Sequence, residues 1–126
     1  MSKLFLEPTE DSPRILFNSD TGHLVIRGRS FMEDTSPFYF AIIEWLRDYF
    51  KNPKPYTLLE LEFDYINSAS YRMVVDVIGE LNKYFVIGYI IEVRWGYYPD
   101  DECLAEMGEE LKDMFDLPIQ SNVIAS

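Results

Sequence analysis

Apolar and polar positions follow two rhythms along this chain. Residues 14–17 and 23–29 are short strand-like runs separated by Asn18-Ser19-Asp20-Thr21-Gly22, residue types that suit turn geometry, and together they predict a β-hairpin. A helical rhythm follows Ser36-Pro37, where Ser36 is expected to cap free backbone N–H groups and Pro37 to pre-set φ in the first turn. Phe38, Ile42, Trp45, Leu46 and Tyr49 recur at intervals of three and four, which puts them on one face; Glu44, Arg47, Asp48 and Lys51 turn outward until Asn52-Pro53-Lys54-Pro55 ends the run.

Residues 56–66 switch to alternation, with Leu59, Leu61, Phe63 and Tyr65 expected on one side and Glu60, Glu62 and Asp64 on the other. This strand runs into Asn67-Ser68-Ala69-Ser70, small residues that favour local side-chain to backbone hydrogen bonds. A second helical period, Met73, Val74, Val77, Ile78 and Leu81, comes directly after, so Ser68 falls at a strand-to-helix corner. Gly88 reopens the chain into a strand over residues 89–95, in which Ile91, Val93 and Trp95 share a face. Pro99-Asp100-Asp101-Glu102 then sets a proline and three acids at a helix N-terminus, where negative charge complements unpaired N–H groups. That third helix is expected to reach about Phe115, and Leu117, Pro118 and Ile119 suggest a short final strand before a frayed tail over 121–126.

The element order is therefore β-β-α-β-α-β-α with that possible last strand, an α/β domain in which a mixed sheet is covered by helices. Residues 1–12 mix Leu4, Phe5 and Leu6 with Pro8, Glu10 and Asp11 and read as a loose arm or an added edge strand. No internal repeat, linker or shift of composition marks a second domain, so residues 1–126 are read as one.

Composition narrows the functional classes. A hydrophobic content of 48% with 16% aromatics supplies a real core. Twenty-two acidic against eleven basic residues give a formal net charge of -11, and the basic residues are scattered singly, so neither nucleic acid nor an anionic membrane is an expected partner. Cys103 is the only cysteine, which rules out an internal disulfide and fits a reducing compartment. The first apolar run stops after three residues and no stretch approaches spanning length, so a cytoplasmic protein is expected.

Candidate chemistry is sparse. The acidic series Asp100, Asp101, Glu102, Glu106, Glu109 and Glu110 reads first as a solvated helix face, with a small metal-binding protein or enzyme as the remote alternative. His23 has no Cys or second His near it and is given no catalytic role; no metal or cofactor is implied. Trp45 and Trp95 read as core, Tyr97 and Tyr98 as core rim or partner contacts, and Cys103 as a small packed residue. From local sequence, Ser68 is an ordinary N-cap before it is anything else.

Three separated blocks alter that weighting. Gly28-Arg29-Ser30-Phe31-Met32-Glu33 precedes the aromatic helix through Trp45; Leu61-Glu62-Phe63-Asp64-Tyr65-Ile66-Asn67-Ser68-Ala69-Ser70 follows; Trp95-Gly96-Tyr97-Tyr98-Pro99-Asp100-Asp101-Glu102 continues to Glu106-Met107-Gly108-Glu109. In order and spacing, over roughly residues 28–120, these blocks resemble the SiaC family of bacterial regulatory phosphoproteins. The resemblance implies a STAS-like (SpoIIAA-like) fold and no catalysis by the chain itself. It also implies one hydroxyl phosphorylated by a partner Ser/Thr kinase and released by a PP2C-type phosphatase, with an effector such as a diguanylate cyclase, in c-di-GMP signalling, bound by the unphosphorylated form. By position the phosphoacceptor is Ser68, with Ser70 second, and Asn67, Ser70, Tyr71 and Arg72 are its docking surround, the Ser70 and Tyr71 N–H groups receiving the phosphate. Ser68 stands where the family usually has Thr, Ala69 where it often has Ser, and Met32 where Pro is common. A sigma-factor pathway antagonist of the STAS type, with an anti-sigma kinase as partner, is the alternative.

Overall fold

The computed structural model describes residues 3–124. Six strands, β1 (Leu4–Leu6), β2 (Arg14–Asn18), β3 (His23–Ser30), β4 (Thr57–Ile66), β5 (Ile91–Tyr97) and β6 (Ile119–Val123), form one sheet in chain order. β1, β2 and β3 pair antiparallel, whereas β3 to β6 pair parallel through three crossover helices, α1 (Ser36–Tyr49), α2 (Ser68–Val86) and α3 (Glu102–Met114). Each crossover advances by one strand in the same direction, so the right-handed rule for such connections puts all three helices on one face.

The strand periodicity produces the core directly. Across the sheet, Phe17, Leu24, Leu59, Val93 and Ile119 stand in register, and beside them run Ile15, Ile26, Leu61 and Trp95. All belong to a single buried cluster with Tyr39, Ile42, Trp45, Leu46, Tyr49, Met73, Val74, Val77, Leu104 and Leu111 from the helices. Among the described residues the opposite face of the sheet carries no helix; there Glu60, Glu62, Glu92, Arg27 and Arg94 form ion pairs, among them Arg27 Nε to Glu62 Oε1 at 2.6 Å.

Of the two forms expected for the N-terminal arm, the structure has the edge strand, over Leu4–Leu6. Several other expectations are corrected. The tail expected to fray from 121 is in part structured: residues 121–123 complete β6, pairing with Trp95, Gly96 and Tyr97, and Ile124 N donates to the Tyr97 carbonyl. Residues 125 and 126 lie outside the described residues. β5 begins at Ile91, leaving Tyr89 and Ile90 exposed in the turn before it. Ser36 does not cap α1; Thr35 holds the cap position without a side-chain bond, and Asp34 Oδ1 accepts from Ser36 N at 3.3 Å. Tyr39 is fully buried, its hydroxyl held by Ser30 Oγ at 2.7 Å, and burial pushes its phenol up to about 12.

Tyr65 also leaves its expected side. Gly28 pairs with Phe63 and Arg29 with Tyr65, so Asp64 is an extra residue in β4, opposite Gly28 at φ +123°. A bulge of this kind resets the in–out alternation. Phe63 and Ile66 are both buried and Tyr65 is 54% exposed.

Candidate functional site

Parallel neighbours deliver their carboxyl ends, and therefore the N-termini of the helices that follow, to one edge of the sheet. Because β4 and β5 are adjacent, the starts of α2 and α3 lie side by side, and the corner holding Ser68 faces the first turns of α3. Between them is a cavity of about 460 Å³ lined by Tyr65, Ile66, Asn67, Ser68, Asp101, Cys103, Leu104 and Met107.

The corner is pinned from both sides. Asn67 N donates to the Ser30 carbonyl at 3.0 Å, tying the end of β4 to the end of β3. Asn67 is the N-cap of α2 with extended backbone (φ -86°, ψ 170°), and its Oδ1 accepts from Ser70 N at 2.8 Å while its carbonyl accepts from Tyr71 N at 2.9 Å. Asn67 therefore performs the capping that local sequence assigned to Ser68. Ser68 is the first helical residue, with an exposed side chain.

Two expectations about the surround fail. Ser70 is fully buried, its Oγ sealed without a hydrogen-bond partner, so it presents no hydroxyl to solvent and no contact to a docking protein. The N–H groups of Ser70 and Tyr71 are spent on Asn67, so the first-turn donors without an intrahelical acceptor are those of Ser68 and Ala69. Tyr71 is half-buried and leans on α3: its hydroxyl donates to Glu110 Oε1 at 3.1 Å, and its ring meets Trp95 edge-on. Burial, then the charge and hydrogen bond of Glu110, hold that phenol well above its ordinary range. Arg72 is exposed one turn along and forms none of the ion pairs found among the described residues.

The α3 side of the cavity was not foreseen from sequence. Asp101 caps α3, accepting from Leu104 N at 3.0 Å, and Trp95 Nε1 donates to the Leu104 carbonyl at 2.8 Å, so this wall is fixed to the sheet. Cys103, expected to be packed, is exposed on its rim. Leu104 and Met107 were readable as a three-residue step of α3; only the adjacency of β4 and β5 brings them to Ser68. Tyr65 adds an aromatic wall, edge-on to Phe31 at 5.7 Å between ring centroids. Tyr98, which does not line the cavity, meets Asp64, whose charge and hydrogen bond raise its phenol.

Glu106, Glu109 and Glu110 are exposed along α3, and among the described residues no group of three or more His, Cys, Asp and Glu side chains is gathered to hold a metal ion. No described helix is long and apolar enough to cross a membrane.

Comparison with known proteins adds three findings. A family profile described as SiaC family regulatory phosphoprotein matches residues 6–124. An uncharacterized protein of Pseudomonas aeruginosa strain UCBPP-PA14 is 25% identical over 118 residues, 94% of each chain. Among solved structures, SiaC of P. aeruginosa superposes with a TM-score of 0.89 at 24% identity, over 98% of this chain and 100% of that one. A crystal structure of the P. aeruginosa diguanylate cyclase SiaD in complex with its activator SiaC gives the same TM-score at 23% identity, over 96% and 99%.

Proposed function

We propose a phosphorylation-gated protein–protein switch, on the premise that this chain belongs to the SiaC family of regulatory phosphoproteins. Ser68 is the phosphoacceptor, modified by a partner Ser/Thr kinase and restored by a PP2C-type phosphatase. The unphosphorylated form binds an effector, a diguanylate cyclase by analogy with the P. aeruginosa activator SiaC, and the chain itself catalyses nothing. A bacterial cytoplasm is the setting. The observation that carries this reading is the division of labour at the corner: Asn67 caps α2, which leaves the exposed Ser68 hydroxyl without a folding task.

A phosphate there adds roughly -1.5 to -2 charge and three strong acceptor oxygens. The uncommitted N–H groups of Ser68 and Ala69 and the positive end of α2 favour it, so the domain stays folded. The same group stands at the mouth of the cavity between α2 and α3, opposite Asp101. A partner seated there has to desolvate a dianion beside a carboxylate, and docking is lost. SiaC membership favours this scheme over a sigma-factor antagonist.

Incubation with the cognate kinase and ATP followed by peptide mapping is expected to find phosphate on Ser68; phosphate on other residues alone refutes the assignment. In calorimetry, Ser68→Ala is expected to bind the effector like the wild type and to ignore the kinase. Ser68→Asp is expected to bind about tenfold or more weakly, or about 1.4 kcal/mol. Equal affinities for the two variants, with matching thermal melts, count against the switch.

A further inference from the structure

Ser68 has a cation on its own helix that no carboxylate claims. Eight of the eleven lysines and arginines form ion pairs among the described residues; Arg29, Lys54 and Arg72 form none. In a chain with 22 acids, a cation left without a carboxylate calls for a physical reason. Lys54 lies just before β4, at the edge of the sheet away from Ser68. The other two are at the Ser68 edge: Arg29 stands in register with Tyr65 near the ends of β3 and β4, and Arg72 follows Ser68 by one turn of α2.

Arg72 does have an acid at helical spacing. Asp76 is one turn further on and also exposed, yet no ion pair joins the two. Helix side chains lean toward the N-terminus, so Arg72 extends over the turn that holds Ser68 and away from Asp76. An acid placed before a base at this spacing also pairs better than the reverse order, because it agrees with the helix dipole. Asp76 instead lines the groove between α1 and α2 together with Arg47 and Lys83. Ser68 and Arg72 are therefore a favourable four-residue pair that lacks only its anion, and a phosphate on Ser68 supplies one.

We infer, resting on the reading of Ser68 as phosphoacceptor, that Arg72 is the internal clamp of that phosphate: its guanidinium folds back one turn and donates paired N–H groups to two phosphate oxygens. The fixed charges agree on the direction. Asp101 lines the cavity with Ser68 and repels the dianion, whereas Arg72 is not among the lining residues, so repulsion and attraction both draw the phosphate out of the cavity and onto α2. The N–H groups of Ser68 and Ala69, left over from the Asn67 cap, lie at the same turn and add donors. Phosphorylation then changes the corner twice. It sets an anion at the cavity mouth, and it withdraws from the surface an exposed guanidinium that a docking partner meets in the unphosphorylated form.

Phosphoserine incorporated at position 68 of the full chain during translation separates the clamp from the kinase's choice of residue. In phosphorus NMR titrations, Arg72→Gln is expected to raise the second pKa of that phosphate by about half a pH unit, since removing a paired cation disfavours the dianion. Arg72→Lys is expected to recover part of the difference, because it keeps the charge without the planar fork, and added salt is expected to shrink it. The Arg72 Nε–H proton resonance is expected to move downfield in the phosphorylated chain, and thermal melts of the unphosphorylated variants to match the wild type. Equal phosphate pKa values in wild type and Arg72→Gln overturn the clamp and leave the acceptor assignment standing; so does a larger change from Arg29→Gln than from Arg72→Gln. Kinase mapping that finds phosphate only on other residues overturns the switch, and the clamp's role with it.

Discussion

Asn67 and Ser68 are adjacent, similar in size and equally suited to capping, yet the backbone gives them opposite tasks. Only Asn67 has the extended φ and ψ that aim a side-chain oxygen at Ser70 N; Ser68 is already helical and turned to solvent. Asn67→Ala is therefore expected to lose about 1 kcal/mol of stability, and Ser68→Ala no more than about 0.5 kcal/mol, as read by urea unfolding. The corner itself was readable in the sequence from the change of rhythm after Ile66. The choice of cap was not, because residue preference ranks Asn and Ser alike and only dihedral angles separate them. The fate of Ser70 was in fact readable: Met73, Val74 and Val77 lie three, four and seven residues on, so the helical period that identified the buried face of α2 includes Ser70. Its polarity disguised this.

At the scale of elements, α1 and α2 are joined across their outer surface by one carboxylate. Glu80 is buried on α2, where it accepts from Arg47 of α1, from Lys83 and from the Tyr84 hydroxyl. Burial by itself raises its carboxyl pKa, but the hydrogen bonds from Arg47, Lys83 and Tyr84 together outweigh that and hold it below the usual range. A depressed folded-state value means that the ionised form stabilises the fold above the ordinary carboxylate pKa of about 4.3, and that this stability drains away as pH falls through the folded value. Thermal melts taken from pH 7 downward are expected to fall more steeply below pH of about 4 in the wild type than in Glu80→Gln. α3 is held differently, by proximity. A Cβ on Gly108 would stand 2.6 Å from Trp95 Cδ1 and Ser121 Oγ, so this glycine lets the helix lie directly on β5 and β6. Glu106-Met107-Gly108-Glu109 thus carried a packing requirement inside a family motif, and spacing alone did not reveal what it packs against.

For the whole molecule, sequence periodicity fixed the kinds of element and their order, while lateral strand order is a consequence of three same-handed crossovers that no local pattern encodes. The groove at the Ser68 corner is a product of that order, which is why Ser68 was identified and its neighbours Asp101, Leu104 and Met107 were not. The charge of -11 is likewise a property of the whole. With twice as many acids as bases, mutual repulsion opposes compactness, and screening relieves more repulsion than attraction. The melting temperature of a dilute sample is therefore expected to rise from low to moderate sodium chloride; a fall would mean that the surface ion pairs dominate.

The extra residue in β4 reaches further than its local geometry suggests. Were β4 to run past Gly28 in strict alternation with Asp64 paired in line, the Tyr65 ring would swing under the helices, Ile66 would be turned to water, and the pavement beside Ser68 would disappear. Whether this strand ends in a landing place for another protein or in more interior is thus decided by one skipped pairing with β3 and not by the identity of any side chain.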